Sequence, residues 1–156
     1  MSQAATSQVF GCVGSTIRTV SGIYFDYLNP TVDMIRFEDI AFGLANECRF
    51  ARQSKIFYSV AEHSMECAHL AWIKGLRFET VQSVFAHDFH EAYTGDIPKP
   101  LKILLGPALK EIEQRIDRLI EERFGVDLSD PLIKQIDQTI LISERNCILY
   151  QRCYWS

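Results

Sequence analysis

The sequence predicts an all-α fold, a compact bundle of about five or six helices preceded by a short N-terminal β-hairpin. Three observations predict it. From position 35 onward apolar residues recur at helical spacing between start and stop signals. The β-rich stretches TIRTV and GIYFDYL both lie within the first 34 residues, separated by a Ser-Gly pair. No internal repeat or low-complexity run interrupts the pattern. At 156 residues the chain fits a single domain, 1–156, with 1–34 as an extended or hairpin segment and 35–156 as the helical core.

Each element has its own signal. The hairpin is followed by Asn29-Pro30, a turn pair. The first helix is expected in IRFEDIAFGLANECRF, where Ile35, Phe37, Ile40, Ala41 and Leu44 fall near helical spacing. The second begins at Ser59, which forms an SxxE capping box with Glu62, and its apolar run ends at Gly75. A third helix, FETVQSVFAHDFHEAYTG, runs to about Gly95, where the prolines of GDIPKPLK stop it. A fourth spans Pro107 to Gly125, and a fifth opens at Asp130 with Pro131 in its first turn and continues through Gln151.

Composition narrows the function classes. A net charge of −4 and a pI near 5.5 argue against duplex nucleic acid as a partner, because backbone affinity needs clustered Lys and Arg. An anionic substrate must therefore be held locally. No basic segment leads into an apolar core at the N-terminus, and no stretch approaches the ~20 apolar residues of a membrane helix, so neither secretion nor a membrane partner is expected. Five cysteines, an odd number without CxxC pairs, fit free thiols in a reducing cytoplasm. Cys67 follows His63 by one helical turn, but a buried free cysteine is more often packing than a ligand.

The chemistry lies in the middle and at the end of the chain. All four histidines, His63, His69, His87 and His90, fall between positions 63 and 90, on two helices joined by a short turn. Such helices run antiparallel, so His63 and His87 can face each other. His87 and Asp88 diverge by ~100° on their helix and can offer imidazole and carboxylate to one ion. Glu91 lies one turn later on the same face, and Asp96 follows the helix. Asp137 sits among Ile133, Ile136, Ile140 and Leu141, a stripe expected to face the core, where an unpaired carboxylate would cost several kcal/mol. Two His and two Asp make a mixed nitrogen and oxygen shell suited to a divalent cation such as Mn, Fe, Co, Ni or Zn. A lone His is more often structural than a ligand, and His69 and His90 are left in that class. A salt bridge is an equal alternative for Asp137 and the main reading of Glu144.

With these residues placed, SVAEHS, HDFHEAYTGDIPKPLK and IDQTILISE resemble the HD-domain phosphohydrolase superfamily, in particular its small bacterial and phage deoxynucleotide phosphohydrolases. The resemblance extends from about Ile35 to Glu144. It implies metal ligation by His63, His87, Asp88 and Asp137, with Co, Mn, Zn, Fe, Ni or Mg as the cation. It implies that Glu91 orients or deprotonates the attacking water and that Asp96 assists it or protonates the leaving oxygen. Arg49 resembles the family's phosphate-binding Arg, Lys102 a second basic contact, and Phe50 an aromatic residue, often Trp, bordering the nucleotide. The implied reaction is hydrolysis at the 5' phosphoester of a deoxynucleotide. A triphosphate is the leading substrate, favoured by the phage-like resemblance and by Arg49, Lys99 and Lys102; a monophosphate is the alternative. A catalytically silent nucleotide-binding regulatory module is the alternative of another class. Family members are commonly oligomeric, so a homo-oligomer is expected.

Overall fold

In the computed structural model, which describes residues 14–149, β1 (Thr16–Arg18) and β2 (Tyr24–Asp26) pair antiparallel with Ile17 opposite Phe25. A two-stranded ribbon is marginal on its own, and this one is fastened to the helices. Phe25 is fully buried and stacks on Tyr93 with ring centroids 4.2 Å apart. The amide and hydroxyl of Ser21 each donate to the buried carboxylate of Asp39 at 2.7 Å. The Tyr27 hydroxyl donates to the Tyr93 carbonyl, and Arg115 Nη1 donates to the carbonyls of Tyr27 and Leu28 at 3.0 and 2.7 Å.

The rest of the described chain is mostly helical. The helices are α1 (Phe37–Asn46), α2 (Val60–Ile73), α3 (Phe78–Ala86), the single turn α4 (Glu91–Thr94), α5 (Lys99–Leu105), α6 (Pro107–Phe124) and α7 (Pro131–Glu144). The expected caps are present. Ser59 Oγ accepts from the Glu62 amide at 3.1 Å while Glu62 Oε2 accepts from the Ser59 amide at 2.8 Å. Asp130 Oδ1 accepts from the Leu132 amide at 2.9 Å at the start of α7. Packed against α1, α3 and α7, α2 is the central helix. Two buried clusters result, one around Phe25, Ile40, Val60, Phe89, Ile116 and Ile120, the other formed by Cys67, Ala71, Val84, Ile133 and Ile136. Among the described residues no helix is long and apolar enough to cross a membrane.

Four expectations need correction. The first helix begins at Phe37 rather than Ile35, after a short 3-10 turn, Val32–Met34, and Ile35 is buried ahead of it. The third helix does not run unbroken to Gly95. His87 Nδ1 binds the Val84 carbonyl at 2.7 Å, the group that the Asp88 amide would use in a continuing helix. The chain then tightens, with Phe89 bonding back to Ala86 and Glu91 to Asp88, before α4. The prolines expected only to stop that helix also begin the next: Pro98 precedes α5 and Pro100 occupies its first turn, where no amide proton is required. The last helix widens after Glu144 into a π-turn, Arg145–Leu149.

The expected N-terminal segment before residue 14, the last helix beyond 149, and Cys12, Cys153 and the terminal CYWS lie outside the described residues. Cys48 and Cys67 are free thiols, but Cys147 is disulfide-bonded, so the expectation of five free thiols fails there. Cysteine spacing does not reveal which sulfurs the fold brings within bonding distance.

Candidate metal centre

Three elements deliver the four expected ligands to one point. The short turn between α2 and α3 makes these helices antiparallel, which brings His63 from the start of α2 beside His87 from the end of α3. The Nε2 atoms of the two imidazoles are 3.4 Å apart. Asp88 Oδ2 lies 3.6 Å from His63 Nε2 and 3.2 Å from His87 Nε2, and Asp137 Oδ1 on α7 is 3.3 Å from His63 Nε2. The tightened turn after α3 aims His87 and Asp88 at the same spot. Asp137 corrects its own argument: its side chain is 35% exposed, on a cleft wall and not within the core stripe. Its candidacy rests on position, not on the cost of burial.

The opposite nitrogens of both imidazoles are held by groups that only accept. His63 Nδ1 meets Glu144 Oε1 at 2.6 Å, and His87 Nδ1 meets the Val84 carbonyl. Each Nδ1 therefore carries the proton, which leaves each neutral ring's Nε2 lone pair facing the cluster. Burial opposes a charged His63, but hydrogen bonds to Asp137, Cys67 and Glu144 outweigh it and push its pKa up to about 11. Burial likewise works against an ionised Asp88, yet His87 and His63 hold its carboxyl far below the usual range. A divalent cation bound here would compete with a proton for the same Nε2 lone pair. The described residues also bring His63, Cys67 and His87 together, with ligand atoms within 4.8 Å of one another, a group that can hold a metal ion. Within it, Cys67 Sγ is nearly equidistant from the two ring nitrogens of His63, at 3.5 and 3.8 Å, so it lies beside the ring instead of along the Nε2 lone pair.

No known family model matches the chain. It is 42% identical over 133 residues to the uncharacterized protein YfdR of Escherichia coli (strain K12), an alignment covering 84% of this chain and 71% of YfdR. The chain belongs to the YfdR family. A second relative, the uncharacterized protein RCAP_rcc00048 of Rhodobacter capsulatus, is 33% identical over 134 residues, covering 82% of this chain and 68% of the relative.

In this YfdR-family chain the cluster opens onto a cleft of about 450 Å³ whose walls include Asp88, Glu91, Asp96, Asp137, Arg49 and Lys102. Phe50 also lines it, 5.5 Å beneath the Arg49 guanidinium. The buried Arg49 is pinned by Glu144 Oε2 at 3.1 Å and by Asp88 Oδ2 at 3.7 Å. It enters the cleft on an unusual turn: Phe50, Ala51 and Arg52 all have positive φ (58°, 52° and 63°), a left-handed turn without glycine. Such residues cost roughly 1–2 kcal/mol each, and strain of this kind collects at functional sites. Asp96 Oδ2 accepts from the Phe50 amide at 3.1 Å, and Glu47 Oε1 accepts from the Asp96 amide at 3.2 Å, tying the strained turn to the loop after α4.

Glu91 is buried, and burial beside Asp88 and Asp96 lifts its pKa well above the ordinary carboxylate range. Lys102 on α5 reaches Glu113 at 2.9 Å and Glu91 at 3.7 Å. His69 is exposed, and His90 is buried against Asp117 at 3.0 Å and Glu113 at 3.9 Å. Sequence reasoning undervalued Glu144, which bonds His63 as well as Arg49 and also accepts from Tyr58. Its place seven residues after Asp137 on one helix face was the available signal. Arg145, on the cleft wall at the start of the π-turn, gave none.

Proposed function

We propose that this chain is an HD-type metal-dependent phosphohydrolase that cleaves the 5' phosphoester of deoxynucleotides, with a deoxynucleoside triphosphate as leading substrate and nucleoside and triphosphate as products. The observation that carries this reading is the convergence of His63, His87, Asp88 and Asp137 beside a cleft that also holds Glu91, Asp96, Arg49 and Lys102. Both imidazoles present an oriented Nε2, and both carboxylates offer hard oxygen, so the donor set fits Co, Mn, Zn, Fe, Ni or Mg. When bound, such a cation supplies a Lewis acid that polarises a phosphoryl oxygen and acidifies water.

The chain's own residues would do the rest. Arg49 and Lys102 bring positive charge to non-bridging oxygens, where charge grows in the transition state. Glu144 holds Arg49 and His63 at once, so phosphate contact and ligand orientation share one anchor. Glu91, whose pKa is lifted by burial and by the neighbouring Asp88 and Asp96, is the candidate for exchanging a proton with the attacking water. Asp96, held by the Phe50 amide, lines the same cleft and is its partner in proton transfer. Phe50 offers a stacking face to the nucleoside.

The test is release of nucleoside, phosphate and triphosphate from a panel of deoxynucleoside mono- and triphosphates with Co, Mn, Mg or Zn, and with EDTA as control. Metal-dependent turnover that falls at least a hundredfold in Asp88→Ala supports the proposal. Release of phosphate from monophosphates alone would replace the leading substrate by the monophosphate, and no turnover with any cation would leave a nucleotide-binding module.

A further inference from the structure

We infer that the cleft between α5 and α6 is a subsite for the distal phosphates of a polyphosphate substrate, an inference that rests on the phosphohydrolase reading and narrows its substrate class. This second cleft has a volume of about 560 Å³ and is lined by Lys99, Lys102 and Lys110 together with Ile103, Leu109 and Glu113. It adjoins the cleft over the candidate metal centre, with Lys99 and Lys102 lining both.

Its charge is unmatched. Glu113 is the one acidic residue on its walls and is already committed to Lys102 at 2.9 Å. Lys99 and Lys110 make no ion pair among the described residues. Two uncompensated ammonium groups at one opening stand out in a chain of net charge −4. The walls formed by Ile103, Pro107 and Leu109 are apolar, and low-polarity walls concentrate the field of the lysines on whatever enters. Pro107 and Leu109 belong to the first turn of α6, an 18-residue helix with no side-chain cap, so the positive end of its dipole adds to the same sign.

The first cleft limits where further phosphates can lie. Around the metal centre stand Asp88, Glu91, Asp96 and Asp137, and Arg49 is already engaged by Glu144 and Asp88. A single phosphate over the ligands needs no more cations than these. Additional phosphates are repelled by Asp88, Asp96 and Asp137, and the positive charge open to them is Arg145 on the wall of the first cleft and Lys99 and Lys110 between α5 and α6. Lysines bind phosphate as flexible point charges, without demanding a fixed geometry.

The experiment is calorimetric titration of the full chain with sodium tripolyphosphate and with sodium orthophosphate in buffer free of divalent cations, for the wild type, Lys99→Gln and Lys110→Gln. Thermal melts check that each variant is folded. The wild type should bind tripolyphosphate at least tenfold more tightly than orthophosphate, and each substitution should lower that ratio about fivefold. A parallel assay compares KM for dATP and dAMP in Lys110→Gln, where the ratio should shift in the same sense. Tripolyphosphate bound no better than orthophosphate, or substitutions that weaken both anions equally, would overturn the subsite. Preserved discrimination in a wild-type protein that turns over no nucleotide supports the subsite and overturns the phosphohydrolase reading instead.

Discussion

Glu144 bears most on how a single side chain sets up the cluster. One oxygen takes the Nδ1 proton of His63 and the other takes Arg49. Removing its charge would free the imidazole to rotate, and losing such an outer partner of a metal ligand typically costs 10–100-fold in metal affinity. Glu144→Gln should show that loss in chelator-competition titrations, with the ligands themselves intact. Its pH dependence has a definite sign. Burial alone would raise the pKa of Glu144, but hydrogen bonding to His63 and the charges of His63 and Arg49 bring it below the ordinary value of 4.5. A depressed carboxyl binds its proton more weakly folded than unfolded, so its contribution is present above the ordinary value and lost as pH falls through the lowered one. In EDTA-treated protein, denaturant unfolding from pH 7 downward should show a shallower acid decline in Glu144→Gln than in the wild type. Parallel declines in the two proteins would remove Glu144 from this role.

At the scale of elements, the close approach of α1 to α4 fixes where Glu91 stands. Gly43 makes it possible: a Cβ added there would lie 2.9 Å from the Ala92 carbonyl and 3.0 Å from the Ala92 Cβ. Backbone on one side and a helix on the other leave little room to give. Overpacking of this kind typically costs 1–3 kcal/mol, and Gly43→Ala should lower the free energy of urea unfolding by about that amount. Because α4 begins at Glu91, the proposed phosphohydrolase activity should also fall in this variant by more than its stability loss explains, measured at a temperature where it is fully folded. The strained turn of Phe50, Ala51 and Arg52 is a second case in which an element holds an unfavourable backbone to place a side chain, Arg49, over the cluster.

For the molecule as a whole, a cation held as proposed, by residues from α2, the turn after α3 and α7, would tie together helices far apart in sequence. A ligand that binds only the folded state stabilises it by about 2.7 kcal/mol at a hundred times its Kd. Added Mn or Co should therefore raise Tm by several degrees, and EDTA should reverse the gain. Asp88→Ala should abolish the shift. Cys67→Ala should keep it, because Sγ sits beside the His63 ring and packs in the apolar cluster of Ala71, Val84 and Ile136. A lost shift in Cys67→Ala would instead make the thiol a ligand.

Much of this architecture was legible in the chain. Local chemistry wrote the hairpin around the Ser-Gly pair, the Ser59 and Glu62 box, and the Asp130-Pro131 start of α7, because caps and turns depend on residues only a few positions apart. The nearness of His63 to His87 and Asp88 was legible in the short connection between two helices, whereas Asp137 was reached by a burial argument that its exposure does not bear out. Tertiary structure decided the rest. The break after Ala86 arises from a His87 bond to Val84 that competes with the helix, and the start of α5 at Pro98 depends on a turn whose partners lie elsewhere. Asp137 proved to be a cleft wall and Glu144 a shared anchor, because burial and the meeting of α2 with α7 are properties of packing between distant segments. Helical periodicity selects the face a residue occupies; only the packed bundle determines whether that face meets core, cleft or solvent.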